Sequence, residues 1–219
     1  MAEPRGIKPR DGIKFIEGVS LKNISLKATL AKKIIAQNSG DIIFTANGIS
    51  GPATITLSQR IAPQVNSKLT LTIDLLPEID KEKMDKHLIS LFSETPNKTL
   101  QSILNNILPQ SFVKYFAEKN KINLELKCNA ITSPERRNLG NALKNIEYGI
   151  KNLEGFDKAM ITVGGVNLKE VDPKTMKSKI IKSLYFAGEI LDLSGPTGGY
   201  NLQICWSTGY VAGISAATQ

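Results

Sequence analysis

The first third of the chain alternates apolar and polar residues in the way that β-strands do. Apolar side chains occupy every second position over 24–30 and 69–75, and a period of two is typical of a strand with one buried face. Between these segments, two apolar runs at 32–36 and 41–46 flank Asn38-Ser39-Gly40. Because tight turns prefer Asn, Ser and Gly, this pattern predicts a hairpin that turns at these three residues.

The segment around residue 50 carries signals for both a helix and a strand. Ser50 is a good helix cap, and Pro52 suits the first helical position. The β-branched run Thr54-Ile55-Thr56 instead favours a strand. We predict a short helix here.

From about Pro77 the apolar period becomes that of helices. Pro96 and Pro109 mark the breaks between three amphipathic segments. The apolar positions of these segments are Leu88, Leu91, Phe92, Leu100, Ile103, Leu104, Ile107, Leu108, Phe112, Tyr115 and Phe116. Ser133-Pro134-Glu135-Arg136 predicts the capped start of a further short helix.

Strand-like alternation returns after this helical region. It resumes over 146–150, and a turn followed by another strand is predicted over 154–163. Strands on both sides of the helices indicate a small helical domain at 77–143, inserted into a β domain formed by 13–76 and 144–182. The predicted fold class is therefore α+β.

The composition is that of a globular protein. Of the 219 residues, 41% are hydrophobic and 22% are charged, which excludes wholesale disorder and collagen-like structure. The 28 Lys and Arg residues exceed the 20 Asp and Glu residues and give a net charge of +8. Because this surplus is spread evenly along the chain without an arginine-rich run, we interpret it as general surface charge and do not expect nucleic acid as a partner.

The cysteine, histidine and hydropathy patterns exclude several kinds of site. Cys128 and Cys205 follow no metal-binding or disulfide spacing, which is typical of a reduced, cytoplasmic protein. His87 is the only histidine, so a His-based metal site or catalytic relay is not expected. No secretory signal and no run of roughly 20 apolar residues is present, so no membrane association is expected. The mixed-sign stretches 81–83 and 135–137 are predicted to be solvated helix faces.

The last forty residues hold the best candidate for a site. A short apolar strand at 183–187 is predicted to end at Gly188-Glu189, and a glycine-rich loop at 192–201 then leads into a helix. Free N–H groups at a helix N-terminus favour electron-rich groups such as a phosphate or the edge of a flavin, and Glu189 is placed to accept hydrogen bonds from ribose or ribityl hydroxyls. The alternative is that the glycines only permit a tight turn and that Glu189 is solvated. A second glycine pair, Gly164-Gly165, is open to the same two interpretations.

Six strings spread over nearly the whole chain share one resemblance. They are FTANGISGP (44–52), TVGGV (162–166), DPKTMKSK (172–179), LYFAGEILD (184–192), GPTGGYNLQ (195–203) and WSTG (206–209). The strings resemble, in the same order, those of a family of bacterial FAD-dependent oxidoreductases described as aminoacetone-oxidase-like or as NAD(FAD)-utilising dehydrogenases. Chance similarity over this length is improbable.

The resemblance implies a molecule of three parts. These are a Rossmann-like FAD-binding domain, a β-barrel-like domain inserted into it, and a small helical domain inserted into the barrel. On this basis 183–219 would be a strand and helix of the FAD-binding domain, following the barrel and its helical insert. No GxGxxG sequence matches the start of that domain, so the chain resembles the C-terminal portion of the family.

The resemblance also implies which residues contact FAD. Gly188 and Glu189 would meet the ribityl–pyrophosphate region, and the glycine pair would lie near the flavin. The residues expected to present amides to the isoalloxazine ring are Thr197, Gly198, Gly199, Tyr200 and Asn201, and Tyr200 is also expected to stack on it. The stretch 44–52 would line the space facing the ring, with Ala46 where the family often has His. No residue stands out as a catalytic acid or base, and no metal site is expected.

Two functions follow from these observations. In the first, the chain is part of a flavin-dependent oxidoreductase and requires an N-terminal Rossmann portion or a separate partner chain, so that alone it binds FAD weakly or not at all and is inactive. In the second, it is a non-catalytic module that pairs with a separate Rossmann chain or an anionic polymer. Apolar residues of the C-terminal helix, among them Tyr210 and Ile214, also lead us to expect a homodimer in the chain alone.

Overall fold

Six antiparallel strands form a closed barrel in the computed structural model, which describes residues 6–9, 16–46, 48–65, 68–154, 162–196 and 198–218. The strands are β1 (Gly6–Pro9), β2 (Ser20–Leu30), β3 (Lys33–Thr45), β4 (Gly48–Ser50), β5 (Leu69–Asp74) and β6 (Ile146–Leu153). Their order around the barrel is β1-β4-β3-β2-β5-β6, and Ile7 closes it by pairing with both Ile49 and Leu153. Alternate side chains such as Leu26, Leu71 and Tyr148 are buried, as the alternation predicted for β2, β5 and β6.

The hairpin between β2 and β3 turns at Ala31-Lys32, so the predicted turn at 38–40 is wrong. Both turn residues have positive φ, 48° and 67°, and Leu30 pairs directly with Lys33. A two-residue turn with positive φ at both positions matches the twist of the flanking strands. Neither Ala nor Lys is typical of such a turn, so the pattern of residue types did not reveal it.

Asn38-Ser39-Gly40 instead lie within β3, paired one to one with residues 24–26 of β2, and a bulge follows on β2. On β2, Lys22 and Asn23 together oppose the single residue Asp41, whose carboxylate accepts a hydrogen bond from the Asn23 N–H (2.9 Å). Gly40 has a φ of 142° beside this bulge. The Asn38 side chain donates to the carbonyl oxygen of Ala53 (3.1 Å), so the turn-like residues hold the helix that follows β4.

That helix, α1 (Pro52–Ile61), confirms the prediction of a helix after residue 50. The residue preceding it is Gly51, whereas the predicted cap, Ser50, ends β4. Gly51 has a φ of 101°, and an added Cβ there would lie 2.9 Å from the carbonyl oxygen of Asp41. Only glycine fits this close approach of helix start and strand.

Four α-helices lie between β5 and β6: α2 (Lys81–Glu94), α3 (Leu100–Leu104), α4 (Gln110–Asn120) and α5 (Ser133–Lys144). Their apolar faces and the barrel interior form one continuous core, in which the rings of Phe44 and Phe112 stack with centroids 5.7 Å apart. Thr132 caps α5 by exchanging hydrogen bonds with Glu135, so the cap lies one residue before the predicted Ser133.

The charged stretches on these helices differ from one another. Lys81, Glu82 and Lys83 are exposed, as predicted. Arg136 is not simply solvated, because its guanidinium forms a two-pronged ion pair with Asp85, with N···O distances of 2.8 and 3.2 Å. This pair joins α5 to α2 and corrects the prediction for Arg136.

The described part of the C-terminal region is built mainly of turns and one long helix, α6 (Tyr200–Ala217). The predicted strand at 183–187 is wrong, since only Tyr185 forms a bridge, with Lys177. The segment forms two backbone hydrogen bonds with residues 176–178. Among the described residues, no neighbouring strand of greater length pairs with it. Most of the strand predicted within 154–163 lies outside the described residues.

A small apolar cluster separate from the barrel core holds the C-terminal region together. Its buried members are Val171, Met176, Leu191 and Ala212. None of the helices in the described ranges has the length and apolar character that crossing a bilayer requires.

Candidate functional site

The first glycine pair of the candidate site packs against the segment that contains Glu189. Gly164 and Gly165 have φ values of 98° and 155°, and a Cβ added at Gly165 would overlap the carbonyl oxygen of Ile190. Two backbone hydrogen bonds continue this contact, from Val166 N–H to Ile190 O (2.8 Å) and from Asp192 N–H to Val166 O (3.0 Å). Gly165 therefore permits a close approach of two backbone segments.

Gly188 lies against the middle of α6. Its φ is 74°, and its N–H donates to the hydroxyl oxygen of Thr208 (2.9 Å). A Cβ added here would lie 3.5 Å from Sγ of Cys205, which is half-buried. Glu189 follows in a single 3₁₀ turn (Gly188–Ile190), exposed and without an ionic or hydrogen-bonding partner among the described residues.

The glycine-rich loop is closed by its own asparagine. Gly195 N–H donates to Oδ1 of Asn201 (2.8 Å), and Nδ2 of Asn201 donates back to the Gly195 carbonyl oxygen (3.0 Å). The side chain of Asn201 is thus committed to shaping the loop, which leaves only its backbone N–H for a ligand. Gln59 of α1 also donates to the Gly195 carbonyl oxygen (3.1 Å), so the loop is attached to the barrel side of the molecule.

The N-terminus of α6 is open. Gly198 and Gly199 have φ values of 120° and 89°, and Gly199, the residue preceding the helix, has no atom within 4 Å of an added Cβ. No side chain in the described part of the chain caps this helix, so its first N–H groups are available to a hydrogen-bond acceptor. Tyr200 is exposed beside them, and Thr197 lies outside the described residues.

The structure brings the described candidate residues into one connected region along α6. Gly188 contacts its middle, the loop ending at Tyr200 and Asn201 forms its start, and the Gly164-Gly165 pair contacts the segment next to Gly188. Within the stretch 44–52, Phe44 and Ile49 are wholly buried in the barrel, whereas Ala46 and Pro52 are exposed, so its role opposite a flavin ring stays a prediction.

Sequence reasoning missed two contacts of this region. Gln59 and Thr208 hold the loop and Gly188 in place. Nothing in the sequence distinguishes Gln59 from other polar helix residues, and Thr208 lies in the WSTG string, which does not indicate this contact. The close approach of the Ile190 carbonyl oxygen, which requires glycine at position 165, is likewise not indicated by any pattern of residue types.

The side chains with shifted pKa values lie away from this region, on α2 and α5. The hydrogen bond from Arg136 holds the pKa of Asp85 below its usual value, and the same contact raises the pKa of Arg136. Hydrogen bonds from Thr132 lower the pKa of Glu135. Each shift follows from an interaction that joins or caps helices. Within the described ranges no three His, Cys, Asp or Glu residues are grouped so that they could hold a metal ion.

Comparison with known proteins connects the chain to a family. The chain is 33% identical over 192 residues to a 3-dehydro-bile acid delta(4,6)-reductase of Clostridium scindens, covering 87% of this chain and 47% of that protein. It is 32% identical over 210 residues to a ribosomal RNA dihydrouridine synthase of Haemophilus influenzae, covering 96% of this chain and 50% of that protein. A protein of the same name from Escherichia coli is 29% identical over 170 residues, which are 78% of this chain and 40% of that protein.

The chain thus spans about half the length of the curated relatives that it matches. Residues 8–161 match the family described as the HI0933-like protein barrel and H2TH domain, in agreement with the barrel and the helices α2–α5. This match covers well over half of the chain, which therefore belongs to the HI0933-like family.

Proposed function

We propose that this chain supplies the barrel, the helical unit and part of the flavin-contacting surface of a FAD-dependent oxidoreductase. The relatives support this proposal, because the names reductase and dihydrouridine synthase both describe redox chemistry. The observation that carries it is the uncapped start of α6, where Gly199 faces open space among the described residues. The non-catalytic alternative explains the barrel equally well but gives no role to this open helix start.

The residues at the start of α6 fit the electron-rich edge of a flavin ring. The N–H groups of Tyr200 and Asn201 would donate to the ring, and Gly198 and Gly199 would admit it without a steric clash. Glu189, which is exposed and unpaired among the described residues, would accept hydrogen bonds from ribityl or ribose hydroxyls. FAD when bound would supply hydride transfer, while these residues bind and orient it.

The names of two relatives support a common substrate chemistry. Both describe the saturation of a ring carbon–carbon double bond, in a bile acid for one protein and in uridine of ribosomal RNA for the other. In uracil, and in a 3-oxo steroid with a double bond at C4, that bond is conjugated to a carbonyl group and is therefore electron-poor. We propose a substrate of this class. The even spread of Lys and Arg gives no reason to prefer the nucleic acid.

The complete enzyme would also include the part that the relatives carry outside the matched region. We propose that this part holds most of the FAD, so that the 219-residue chain alone binds FAD weakly or not at all and is inactive. The flavin would then lie between the two parts.

The test is FAD binding by this chain after assembly with the part that the relatives carry outside the matched region. Binding is measured by equilibrium dialysis and visible flavin absorbance. Glu189→Gln should weaken binding by about 10- to 100-fold, because a hydrogen bond to a charged group contributes ~1.5–3 kcal/mol. The matched control is Glu147→Gln, an exposed carboxylate on β6, which should leave binding unchanged. A colourless assembly that has no affinity for FAD would refute the proposal and leave the non-catalytic module.

A further inference from the structure

The helices between β5 and β6 surround an apolar cavity with a volume of about 290 Å³. It is lined by residues of α2, α3 and α5 and by the segment between β5 and α2. All of the lining residues except Glu78 and His87 are Leu, Ile or Phe. The buried residues of its walls include Leu88, Phe92, Leu104, Leu139 and Leu143.

The volume and the walls of this cavity suit a small apolar molecule. Protein interiors contain few voids larger than a water molecule, and the volume is close to the lower end of the range for small-molecule sites, about 300–1,000 Å³. A cavity of about 150 Å³ lined by Leu, Ile and Phe excludes water and accepts benzene. A cavity of about twice that volume therefore accommodates an apolar body of roughly eight to ten carbon atoms.

The polar groups of the cavity lie at its mouth and indicate the head group of such a molecule. Glu78 and His87 line the cavity and are both exposed. Neither side chain has an ionic or hydrogen-bonding partner among the described residues. No Lys or Arg is found among the described residues that line the cavity. The mouth therefore carries one carboxylate that no cation of the lining compensates.

The lysines close to the cavity do not offer a site for an anion. Lys83, one turn before His87 on α2, pairs with Asp80 (3.2 Å). Lys144 lies 2.8 Å from the carboxylate of Asp74, and its other donors bind two backbone carbonyl oxygens. The remaining lysines of α2 are exposed and do not line the cavity. The charges at the mouth consequently favour a cationic head group over an anionic one.

We propose that this cavity binds an amphiphile with an apolar body of roughly eight to ten carbon atoms and a protonated amino group. The apolar body lies among the Leu, Ile and Phe side chains, and the ammonium group donates hydrogen bonds to the carboxylate of Glu78. The imidazole of His87, when neutral, provides a further acceptor. This site belongs to the helical unit and requires no flavin, so it is independent of the proposed function.

The experiment is isothermal titration calorimetry of the 219-residue chain with three ligands that share one chain length. These are octylamine, octan-1-ol and octanoate, each used below the concentration at which it aggregates. We expect octylamine to bind saturably, with one molecule per chain. Octan-1-ol should bind about two- to fivefold more weakly, the range that an exposed ion pair supplies. Octanoate should bind more weakly than the alcohol, because the carboxylate at the mouth repels it.

A series of amines tests the size of the cavity. From butylamine through hexylamine to octylamine, the affinity should rise by up to about fourfold for each added methylene, because each one is buried against apolar walls. Dodecylamine should bind no more tightly than decylamine, since its last carbons no longer fit inside. An affinity that keeps rising up to dodecylamine would show binding to an open surface and would overturn the inference.

Two variants with matched controls locate the site. Leu91→Trp, at a half-buried wall position, should weaken octylamine binding about tenfold or more by removing the room for at least two methylenes, whereas Ile89→Trp, on the same helix but outside the lining, should not. Glu78→Gln should weaken the binding of octylamine about two- to fivefold and leave that of octan-1-ol unchanged. Glu82→Gln, an exposed carboxylate outside the lining, should change neither.

Three results would overturn the inference. The first is the absence of saturable octylamine binding. The second is an affinity for octan-1-ol or octanoate that equals the affinity for octylamine, which would refute the assigned head group. The third is octylamine binding that Leu91→Trp, shown to be folded by circular dichroism, leaves unchanged. Glu78 is exposed, so Glu78→Gln provides the test if Leu91→Trp does not fold. Because no flavin takes part, none of these results bears on the proposed function.

Discussion

A buried ion pair holds the helical unit to the barrel where the chain leaves and re-enters it. Lys144, the last residue of α5, lies 2.8 Å from Oδ2 of Asp74, the last residue of β5. Its ammonium group also donates to the carbonyl oxygens of Leu76 (2.7 Å) and Ile79 (2.5 Å). All three donors are therefore satisfied, and the two side chains are only 7% and 10% exposed.

Replacing Lys144 with Met should destabilise the protein strongly, because it leaves the Asp74 carboxylate buried with the Leu76 N–H (3.1 Å) as its remaining partner. Breaking a buried pair on one side costs about 3–5 kcal/mol. At roughly 2–4 °C per kcal/mol for a chain of this size, Tm should fall by about 6–20 °C. Urea unfolding followed by circular dichroism measures the free energy of unfolding directly.

Two comparisons make this prediction specific to the buried charge. Lys83→Met removes an ion pair with Asp80 in which both side chains are largely exposed, so it should cost less than about 1 kcal/mol. Adding Asp74→Asn to Lys144→Met neutralises the stranded carboxylate and should recover part of the loss. The reasoning is refuted if Lys144→Met costs less than about 1 kcal/mol, or if the second substitution makes the protein less stable still.

Three further predictions concern stability. The hydrogen bond from Arg136 depresses the folded-state pKa of Asp85. The stability that the pair contributes is therefore present above the unfolded pKa of about 4 and is lost as the pH falls through the folded pKa. In acid unfolding titrations, Asp85→Asn should lose less stability than the natural protein between about pH 5 and pH 3. Gly51→Ala, with its positive φ and its contact with Asp41, should cost about 1–3 kcal/mol in urea unfolding, whereas Gly213→Ala, at an open helical position, should stabilise the chain by up to about 1 kcal/mol. Replacing Ala31-Lys32 with Asn-Gly should raise Tm, because both positions have positive φ, and an unchanged or lower Tm would contradict the assigned turn.

The sequence was a good guide to elements whose period is long and regular. Alternation over 69–75 and 146–150 predicted β5 and β6, and the helical period predicted α2 and α4. These patterns work because one face of each element is buried in the common core.

The failures come from contacts that a local pattern does not contain. Asn38 and Gly40 have the residue types of a turn, but both lie within β3. Asn38 donates a hydrogen bond to α1, and Gly40 lies beside the bulge and close to α1. The apolar run at 183–187 reads as a strand, yet a strand requires neighbours, and the described residues offer only a short bridge at Lys177.

The candidate site shows the same division. The glycines could be named from the strings that resemble a flavoprotein family, because backbone approach requires glycine wherever it occurs. The closing of the loop by Asn201 and its attachment by Gln59 could not be predicted. Gln59 lies 136 residues from Gly195 in the chain, and only the folded structure brings them together.

The most direct test of the central claim is hydrogen–deuterium exchange at the start of α6 in the assembled protein, with and without FAD. The account predicts that exchange of the Tyr200, Asn201 and Leu202 amides slows about tenfold or more when FAD binds, because each tenfold corresponds to ~1.4 kcal/mol of added protection. Amides near the end of the helix, at 213–217, should exchange equally fast in both states. If FAD binds and the first amides of α6 exchange at an unchanged rate, the flavin lies elsewhere and the account is wrong.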